Sequence, residues 1–167
     1  MTRVIDLGAG DDPDPRATET VDLYADADLR FDLSERWPVD DDSVDGLVAN
    51  HVVEHLDAEH VFAEAARALV DGGWFELTVP LGRDAYADHD HQQRWAYWTP
   101  EMYCKQSRRH WDADPGFELR DRDLSVWLLG PFKPLSGLFD RAANIWPAWA
   151  ERRCGAGELT ARYRRVA

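Results

Sequence analysis

A short glycine loop near the start of the chain carries the residue types best suited to ligand binding. Gly8-Ala9-Gly10 follows the apolar run Val4-Ile5-Asp6-Leu7, and Asp22 ends the next apolar run. Glycine has no Cβ, so a glycine turn after a buried strand lets the backbone approach a ligand closely. In an open α/β sheet, ligands bind at the carboxyl ends of the strands, where an acid can accept hydrogen bonds from a ribose. The spacing therefore predicts a nucleotide-type ligand.

Two ligand classes compete for this loop, beside its interpretation as a plain turn. A dinucleotide requires Gly-x-Gly-x-x-Gly, but Pro13 stands at the last position, and Asp11 and Asp12 would repel a pyrophosphate. An adenosyl sulfonium compound carries a positive sulfur and no phosphate. Asp6, directly before the glycines, also suits a cationic ligand. The charge of the loop favours the sulfonium compound.

Three patterns invite a metal interpretation. His51-x-x-Glu54-His55 matches the zinc-peptidase pattern H-x-x-E-H, in which two histidines share one helix face. It follows a strand of a nucleotide-type pattern, however, and the sequence identifies no third ligand. Asp40-Asp41-Asp42 has the character of a solvated turn, and Cys104 and Cys154 lack a metal-ligand spacing, which favours reduced thiols. We predict no metal, and the zinc peptidase stays a remote alternative.

The elements that position these residues alternate between strands and helices. Sequence patterns predict five strands in the first half, at 4–7, 20–22, 28–33, 43–49 and 74–79. Pro80 should stop the fifth. Asp57 is the predicted N-cap of a helix over 58–70, and Asp71-Gly72-Gly73 should end that helix with a left-handed glycine cap. Such alternation is typical of a parallel sheet.

The second half is less regular. The predicted elements are a threonine-capped helix from Thr99 to about Ser107, a sixth strand from Gly116 that continues through 124–129, a helix over 138–149 and an antiparallel strand over 159–166. The apolar side chains of 138–149 should face the core or a pocket. We predict an α/β fold, a doubly wound Rossmann-like mixed sheet of seven strands with the last antiparallel.

In this order, the motifs resemble a class I S-adenosylmethionine-dependent methyltransferase, of the small type 11-like kind that begins at the first strand. Asp6 to Gly10 resembles the first motif of the family, and Asn50 to Leu56 resembles its segment after the fourth strand. Asp12 departs from the pattern, since many members have a third glycine there. The resemblance implies S-adenosyl-L-methionine as the cofactor. It implies cofactor contacts from Asp6, Gly8, Gly10, Asp22, Leu23, Asp32, Leu33, Asn50 and His51.

The segment after the fifth strand is expected to bind a methyl acceptor, because it follows the carboxyl edge of the sheet. His89 and His91 alternate with aspartates over 88–91, and as catalytic residues they would supply a base and its orienting partner for a hydroxyl acceptor. The aromatic side chains of 95–98 would wall the pocket. The other interpretation of this segment is a structural loop with polar tips, or a weak adventitious metal site.

The resemblance implies methyl transfer to an oxygen or nitrogen of a small molecule or glycan. The alternative is a non-catalytic S-adenosylmethionine-binding or regulatory module. The chain is predicted as one domain over 1–167, with 1–80 as the cofactor-binding half and 81–167 as the acceptor-side half.

The composition indicates the environment in which the chain works. It has 32 acids against 19 Lys and Arg, a net charge of −13, and lysine only at positions 105 and 133. This balance is typical of a halophile, where a Debye length of ~3 Å at ~1 M salt screens repulsion. It disfavours nucleic acid and anionic membranes as partners. Because the sequence shows no signal peptide, we expect a cytoplasmic protein. A homodimer is one way in which the cofactor could be covered.

Overall fold

The computed structural model describes residues 2–86, 88–104, 116–126, 135–153 and 156–166. Its strands are β1 (Val4–Leu7), β2 (Glu19–Val21), β3 (Val44–Asn50), β4 (Leu69–Gly82), β5 (Phe117–Val126) and β6 (Ala156–Arg165). They form one sheet in the order β2-β1-β3-β4-β6-β5. The first four strands are parallel, and β6 is antiparallel to both β4 and β5. This arrangement confirms a mixed, Rossmann-like α/β fold.

Helix α1 (Ala58–Ala68) begins as the sequence predicts and packs into the core. The side chain of Asp57 caps it by accepting a hydrogen bond from the N–H of Glu59 at 3.0 Å. Phe62, on its buried face, is the centre of an aromatic cluster. The rings around it, at centroid distances of 4.5 to 5.5 Å, are those of Tyr103, Tyr163, Phe75 and Phe117. These contacts join α1 to β4, β5 and β6.

The predicted third strand over 28–33 is reduced to a single bridge between Val21 and Leu29, so the described residues form six strands rather than seven. The carboxylate of Asp28 accepts hydrogen bonds from the N–H and the hydroxyl of Thr20, at 2.9 and 2.8 Å. Asp32 makes a similar local pair with Ser34. Such side-chain bonds compete with a strand ladder for the backbone groups.

The junction between α1 and β4 differs from the prediction. The helix ends at Ala68 and β4 begins at once, so the glycines do not form a helix cap. Gly72, with φ +79°, lies inside β4 where the pairing shifts from Val44–Leu69 to Gly46–Trp74. The predicted stop at Pro80 is also wrong. Pairing with β3 ends before Pro80, so β4 continues to Gly82 against β6 alone, where the missing N–H is tolerated.

The elements after β4 are shorter or longer than predicted. Thr99–Tyr103 forms a 3-10 turn without a side-chain cap, because the Thr99 hydroxyl instead accepts from the N–H of Ala96 at 2.9 Å. The predicted extension to Ser107 lies outside the described residues. β5 is continuous through 120–123, with one irregularity after Leu119, and the predicted extension beyond Val126 is likewise not described.

The predicted helix over 138–149 is two helices, α2 (Ser136–Ile145) and α3 (Pro147–Arg153). The prediction that its apolar side chains face the core or a pocket is wrong for three of them, because Leu138, Ile145 and Trp146 are 64–65% exposed. Two polar side chains of α2 explain this orientation. Asn144 and Asp140 accept hydrogen bonds from the N–H groups of Leu124 and Val126, at 2.8 and 2.6 Å, and so cap the edge of β5.

No helix among the residues that the structure describes is long and apolar enough to cross a membrane.

Candidate functional site

The glycine loop leaves β1 in a shape that requires glycine. Gly8 and Gly10 have φ values of +70° and +55°. A Cβ on Gly8 would lie 2.7 Å from Cγ2 of Val52, whereas a Cβ on Gly10 would meet no described heavy atom within 4 Å. Gly8 therefore packs against the segment after β3, and Gly10 borders open space that a ligand can occupy.

Asp22 fixes this loop from the end of the neighbouring strand. Its Oδ2 accepts a hydrogen bond from the N–H of Gly10 at 3.0 Å, and its Oδ1 accepts from Tyr24 and Ala25 at 2.7 and 2.8 Å. Partial burial raises the pKa of Asp22, but the N–H groups of Ala25, Tyr24 and Gly10 outweigh burial and hold the pKa below its ordinary value. A carboxylate offers about four acceptor positions, so about one remains for a ligand hydroxyl. Leu23 lies half-buried within the same turn.

Asp6, in β1 directly before the glycine loop, holds the segment that follows the loop. It is 2% exposed, and its Oδ2 accepts a hydrogen bond from the N–H of Asp14 at 2.7 Å. Burial raises the pKa of Asp6 above its ordinary value. Its Oδ1 is buried and finds no partner among the described residues. This oxygen suits a cationic donor that the described residues do not supply.

Asp32 and Leu33 lie beside the loop through the short bridge to β2. The N–H of Asp22 donates to Leu29 O at 3.3 Å, and the N–H of Leu29 donates to Thr20 O at 2.9 Å. Asp32 is exposed, and the hydroxyl and N–H of Ser34 hold its pKa below the ordinary value. The Leu33 side chain is buried in the core, which leaves its backbone for a ligand.

The segment after β3 packs directly on the glycine loop. Asn50 ends the strand with an exposed side chain, and His51 follows with φ +54°. The imidazole of His51 lies 3.5 Å from Oε1 of Glu54 and 2.8 Å from Oε1 of Glu158, and these two carboxylates raise its pKa. The only helical geometry here is the 3-10 turn Val53–His55, so His51 and His55 do not share a helix face. The zinc-peptidase geometry is not formed.

The acceptor segment, residues 88–103, attaches to this same region. The N–H groups of Gln92 and Gln93 donate to Glu54 O at 2.8 and 3.1 Å. The rings of His91 and His55 meet edge to face at 4.7 Å. The structure therefore brings His91 close to the segment that follows the carboxyl end of β3. The spacing of the two histidines in the sequence gave no signal of this contact.

His89 behaves differently from His91. Its side chain is 92% exposed, and its ring nitrogens lie 3.5 Å from Asp88 and 3.1 Å from Asp90. Of the aromatic side chains assigned to the pocket wall, Trp95 and Tyr97 are buried, while Trp98 is 51% exposed.

Comparisons with known proteins identify the family and the fold. Residues 2–119 match a family described as a methyltransferase domain. A methyltransferase of Haloferax volcanii, solved in complex with the Trm112 methyltransferase activator, has a TM-score of 0.63 at 23% identity, over 99% of this chain and 82% of that one. A SAM-dependent methyltransferase from Archaeoglobus fulgidus has a TM-score of 0.63 at 15% identity, over 98% and 86%.

A third solved structure contains a bound product of the methyl donor. It is the geranyl diphosphate C-methyltransferase of Streptomyces coelicolor A3(2), in complex with S-adenosyl-L-homocysteine, with a TM-score of 0.58 at 17% identity over 99% of this chain and 74% of that one. A comparison with curated proteins gave no match. At these identities, the structural likeness concerns the fold.

Proposed function

Because the chain belongs to the methyltransferase domain family, we propose that it is an enzyme that transfers a methyl group to an oxygen or nitrogen of a small molecule or glycan. S-adenosylmethionine is the cofactor. The observation that carries the proposal is the hydrogen bond from Gly10 to Asp22, which joins the glycine loop to the acid at the next strand end. That pair lies where ligands bind in open α/β sheets.

The residues at this edge fit the cofactor in charge and in space. Asp22 would accept a hydrogen bond from a ribose hydroxyl of the cofactor. The Oδ1 of Asp6, which has no partner among the described residues, would accept a hydrogen bond from the cofactor's α-amino group. The open space beside Gly10 admits the ligand to the backbone. Asp32 and Leu33 would bind the adenine. Leu23, Asn50 and His51, at the ends of the same strands, would complete the contacts.

Methyl transfer needs an acceptor atom aligned behind the methyl group, and a route for the acceptor's proton. S-adenosylmethionine supplies the methyl group on a positively charged sulfur. His91 is the stronger of the two catalytic candidates, because it contacts the segment that packs on the glycine loop. His89 is exposed and would reach an acceptor only through movement of the loop. Buried Trp95 and Tyr97 hold the acceptor segment against the sheet.

Calorimetry tests the proposal. In molar potassium chloride, the wild-type chain should bind S-adenosylmethionine or S-adenosylhomocysteine. Asp22→Ala should weaken binding by ~1–3 kcal/mol, the range for losing a hydrogen bond to a charged group. Asp26→Ala is the matched control, because Asp26 is an exposed acid of the same turn and should leave affinity unchanged. A wild-type protein that binds neither compound would overturn the proposal.

A binding module without chemistry is the competing class. Formation of S-adenosylhomocysteine during a screen of alcohols, amines and sugars would support the enzyme, and cofactor binding without turnover of any acceptor would support the module. Two further expectations stay predictions. Thermal stability that rises with potassium chloride would support a halophilic protein. A mass of two chains in light scattering would support the homodimer.

A further inference from the structure

Three side chains converge where the acceptor segment meets the segment after β3. A carboxylate oxygen of Glu54, a ring nitrogen of His55 and a ring nitrogen of His91 all lie within 4.8 Å of one another. Glu54 is 1% exposed, and both histidines are half-buried. The cluster is therefore shielded from water on its Glu54 side.

A second observation at the same place points to a missing ligand. Oε1 of Glu54 lies near His51, but Oε2 is buried and has no hydrogen-bond partner among the described residues. Leaving a buried acceptor unpaired costs about 1–3 kcal/mol, and more when the group is charged. A bound cation would remove this cost, because it would coordinate the oxygen directly.

We propose that Glu54, His55 and His91 bind a divalent transition-metal ion, with zinc as the first choice. Two imidazoles and one carboxylate form the ligand set of catalytic zinc sites and of non-haem iron sites. Imidazole ligands disfavour magnesium and calcium, which prefer oxygen.

The surroundings of His91 orient it for this task. Its Nδ1 lies 3.2 Å from Ala85 O, so Nδ1 carries the proton and Nε2 presents its lone pair. A metal-bound histidine typically donates its other N–H to a carbonyl or carboxylate in this way. The Gln92 side chain donates to His55 O at 2.7 Å, which ties the segment of His91 to that of His55.

The geometry also predicts a small closure on binding. A tetrahedral ion with bonds of about 2.0–2.1 Å holds its ligands about 3.3 Å apart. The three ligand atoms, which lie within 4.8 Å of one another, would therefore draw together by up to about 1.5 Å. Since Glu54 is fixed in the core, His91 and its loop would make most of this movement.

A second cluster of carboxylate and imidazole side chains provides the comparison. Asp88, His89 and Asp90 satisfy the same distance limit, but all three are exposed. Water can satisfy their polar atoms, and no buried oxygen there lacks a partner. This cluster carries no proposal and serves as the control.

The ion would also influence the acceptor, and this consequence rests on the proposed function. Three protein ligands leave a coordination position open for a water or an acceptor oxygen. Val52, two residues before Glu54, packs at Gly8, so the segment that carries two of the three ligands adjoins the glycine loop. A coordinated hydroxyl has a lowered pKa, and His91 would then act as a ligand rather than as a free base.

The test is metal binding by the full chain after treatment with a chelator. Zinc calorimetry and the absorption spectrum of bound cobalt should report one ion per chain in molar potassium chloride, and magnesium should not compete. His55→Ala and His91→Ala should each weaken binding by more than the roughly 10–100-fold that loss of an outer-shell partner costs. His60→Ala, on α1, and His89→Ala should bind as the wild type does.

X-ray absorption spectroscopy of the zinc-loaded wild-type protein keeps the test valid if a variant fails to fold. It should report two imidazole nitrogens and a carboxylate oxygen. No stoichiometric binding, or binding lost in His89→Ala and kept in His91→Ala, would overturn the site. Parallel calorimetry separates the two proposals: a chain that binds S-adenosylmethionine but no zinc refutes the metal site alone, and the reverse result refutes methyl transfer.

Discussion

The glycine loop and the acceptor segment are held in place by different kinds of contact. In the loop, carboxylates accept hydrogen bonds from backbone N–H groups close in the chain, Asp22 from Gly10 at 3.0 Å and Asp6 from Asp14 at 2.7 Å. These bonds depend on backbone path and on two acids. The hydrogen bonds that shape the cofactor side therefore come from residues within about the first 25 of the chain, and Val52 adds a packing contact at Gly8.

The acceptor segment depends on elements from the other end of the chain. The N–H of Tyr97 donates to Oε1 of Glu151 in α3 at 2.8 Å, and Arg122 of β5 donates to Tyr97 O at 3.2 Å. The guanidinium of Arg122 also lies over the rings of Tyr97 and Trp98, at 4.2 and 4.4 Å. The difference suggests a division of labour, with cofactor affinity in the first region and acceptor chemistry in the second.

The largest expected effect tests that division directly. His91→Ala should lower turnover by ~10²–10⁴-fold, the contribution of a group positioned for the acceptor's proton chemistry, and leave the affinity for S-adenosylmethionine unchanged. Production of S-adenosylhomocysteine, with an acceptor found by screening, measures turnover, and calorimetry measures affinity. His60→Ala should change neither. An equal loss of affinity in His91→Ala would break the comparison.

A smaller effect is expected from the packing of the loop. Gly8→Ala and Gly10→Ala both place alanine at positive φ, at a cost of ~1–2 kcal/mol. Gly8→Ala also drives a Cβ into Val52, which adds ~1–3 kcal/mol. Chemical denaturation should show the larger loss for Gly8→Ala, and a double-mutant cycle with Val52→Ala should show strong coupling. Equal losses for the two glycines would mean that the loop does not rest on the segment after β3.

The smallest effect concerns Glu76 of β4, which pairs with Arg16, in the segment after the glycine loop, and with Arg162 of β6, each at 2.6 Å. Burial raises the pKa of Glu76, but the two guanidinium groups outweigh burial and hold the pKa below its ordinary value. A carboxyl with a lowered folded-state pKa contributes stability above its unfolded pKa, and that stability is lost as the pH falls through the folded value.

Glu76→Gln should therefore lower the free energy of unfolding by about 1 kcal/mol at pH 7, a modest value because both arginines are partly exposed. Denaturation curves of both proteins should converge as the pH falls below about 4. A difference that stays constant from neutral to acid pH would show that the charge of Glu76 does not stabilise the fold through these two arginines.

The sequence was informative where structure depends on local chemistry. Gly8, Gly10 and Asp22 were predicted at one edge, and the structure joins them, because glycine turns and strand-end acids have short-range signatures. The third strand was overpredicted, since local bonds of Asp28 replaced its ladder. The contact of His91 with His55 joins two irregular segments, and no periodicity connects them.

The error at α2 has the same origin. Hydrophobic periodicity assigned Leu138 and Ile145 to the interior, but the polar side chains of Asp140 and Asn144 face β5 instead. Periodicity assumes that a helix buries its apolar face, and it does not register the unpaired backbone of an edge strand.

That capping has a consequence for how crowded chains behave. The amide of Asn144 accepts from Leu124 N at 2.8 Å and donates to Leu124 O at 2.9 Å, so it imitates one residue of an adjoining strand. An edge with free backbone groups is a template for recruiting another chain into a growing fibril. Here α2 occupies the template at Leu124 and Val126, and β2 at the opposite edge has only three residues. Within the described part of the chain, the sheet thus offers little free backbone at either edge, and we expect this to oppose amyloid-like stacking in a densely packed solution of the protein.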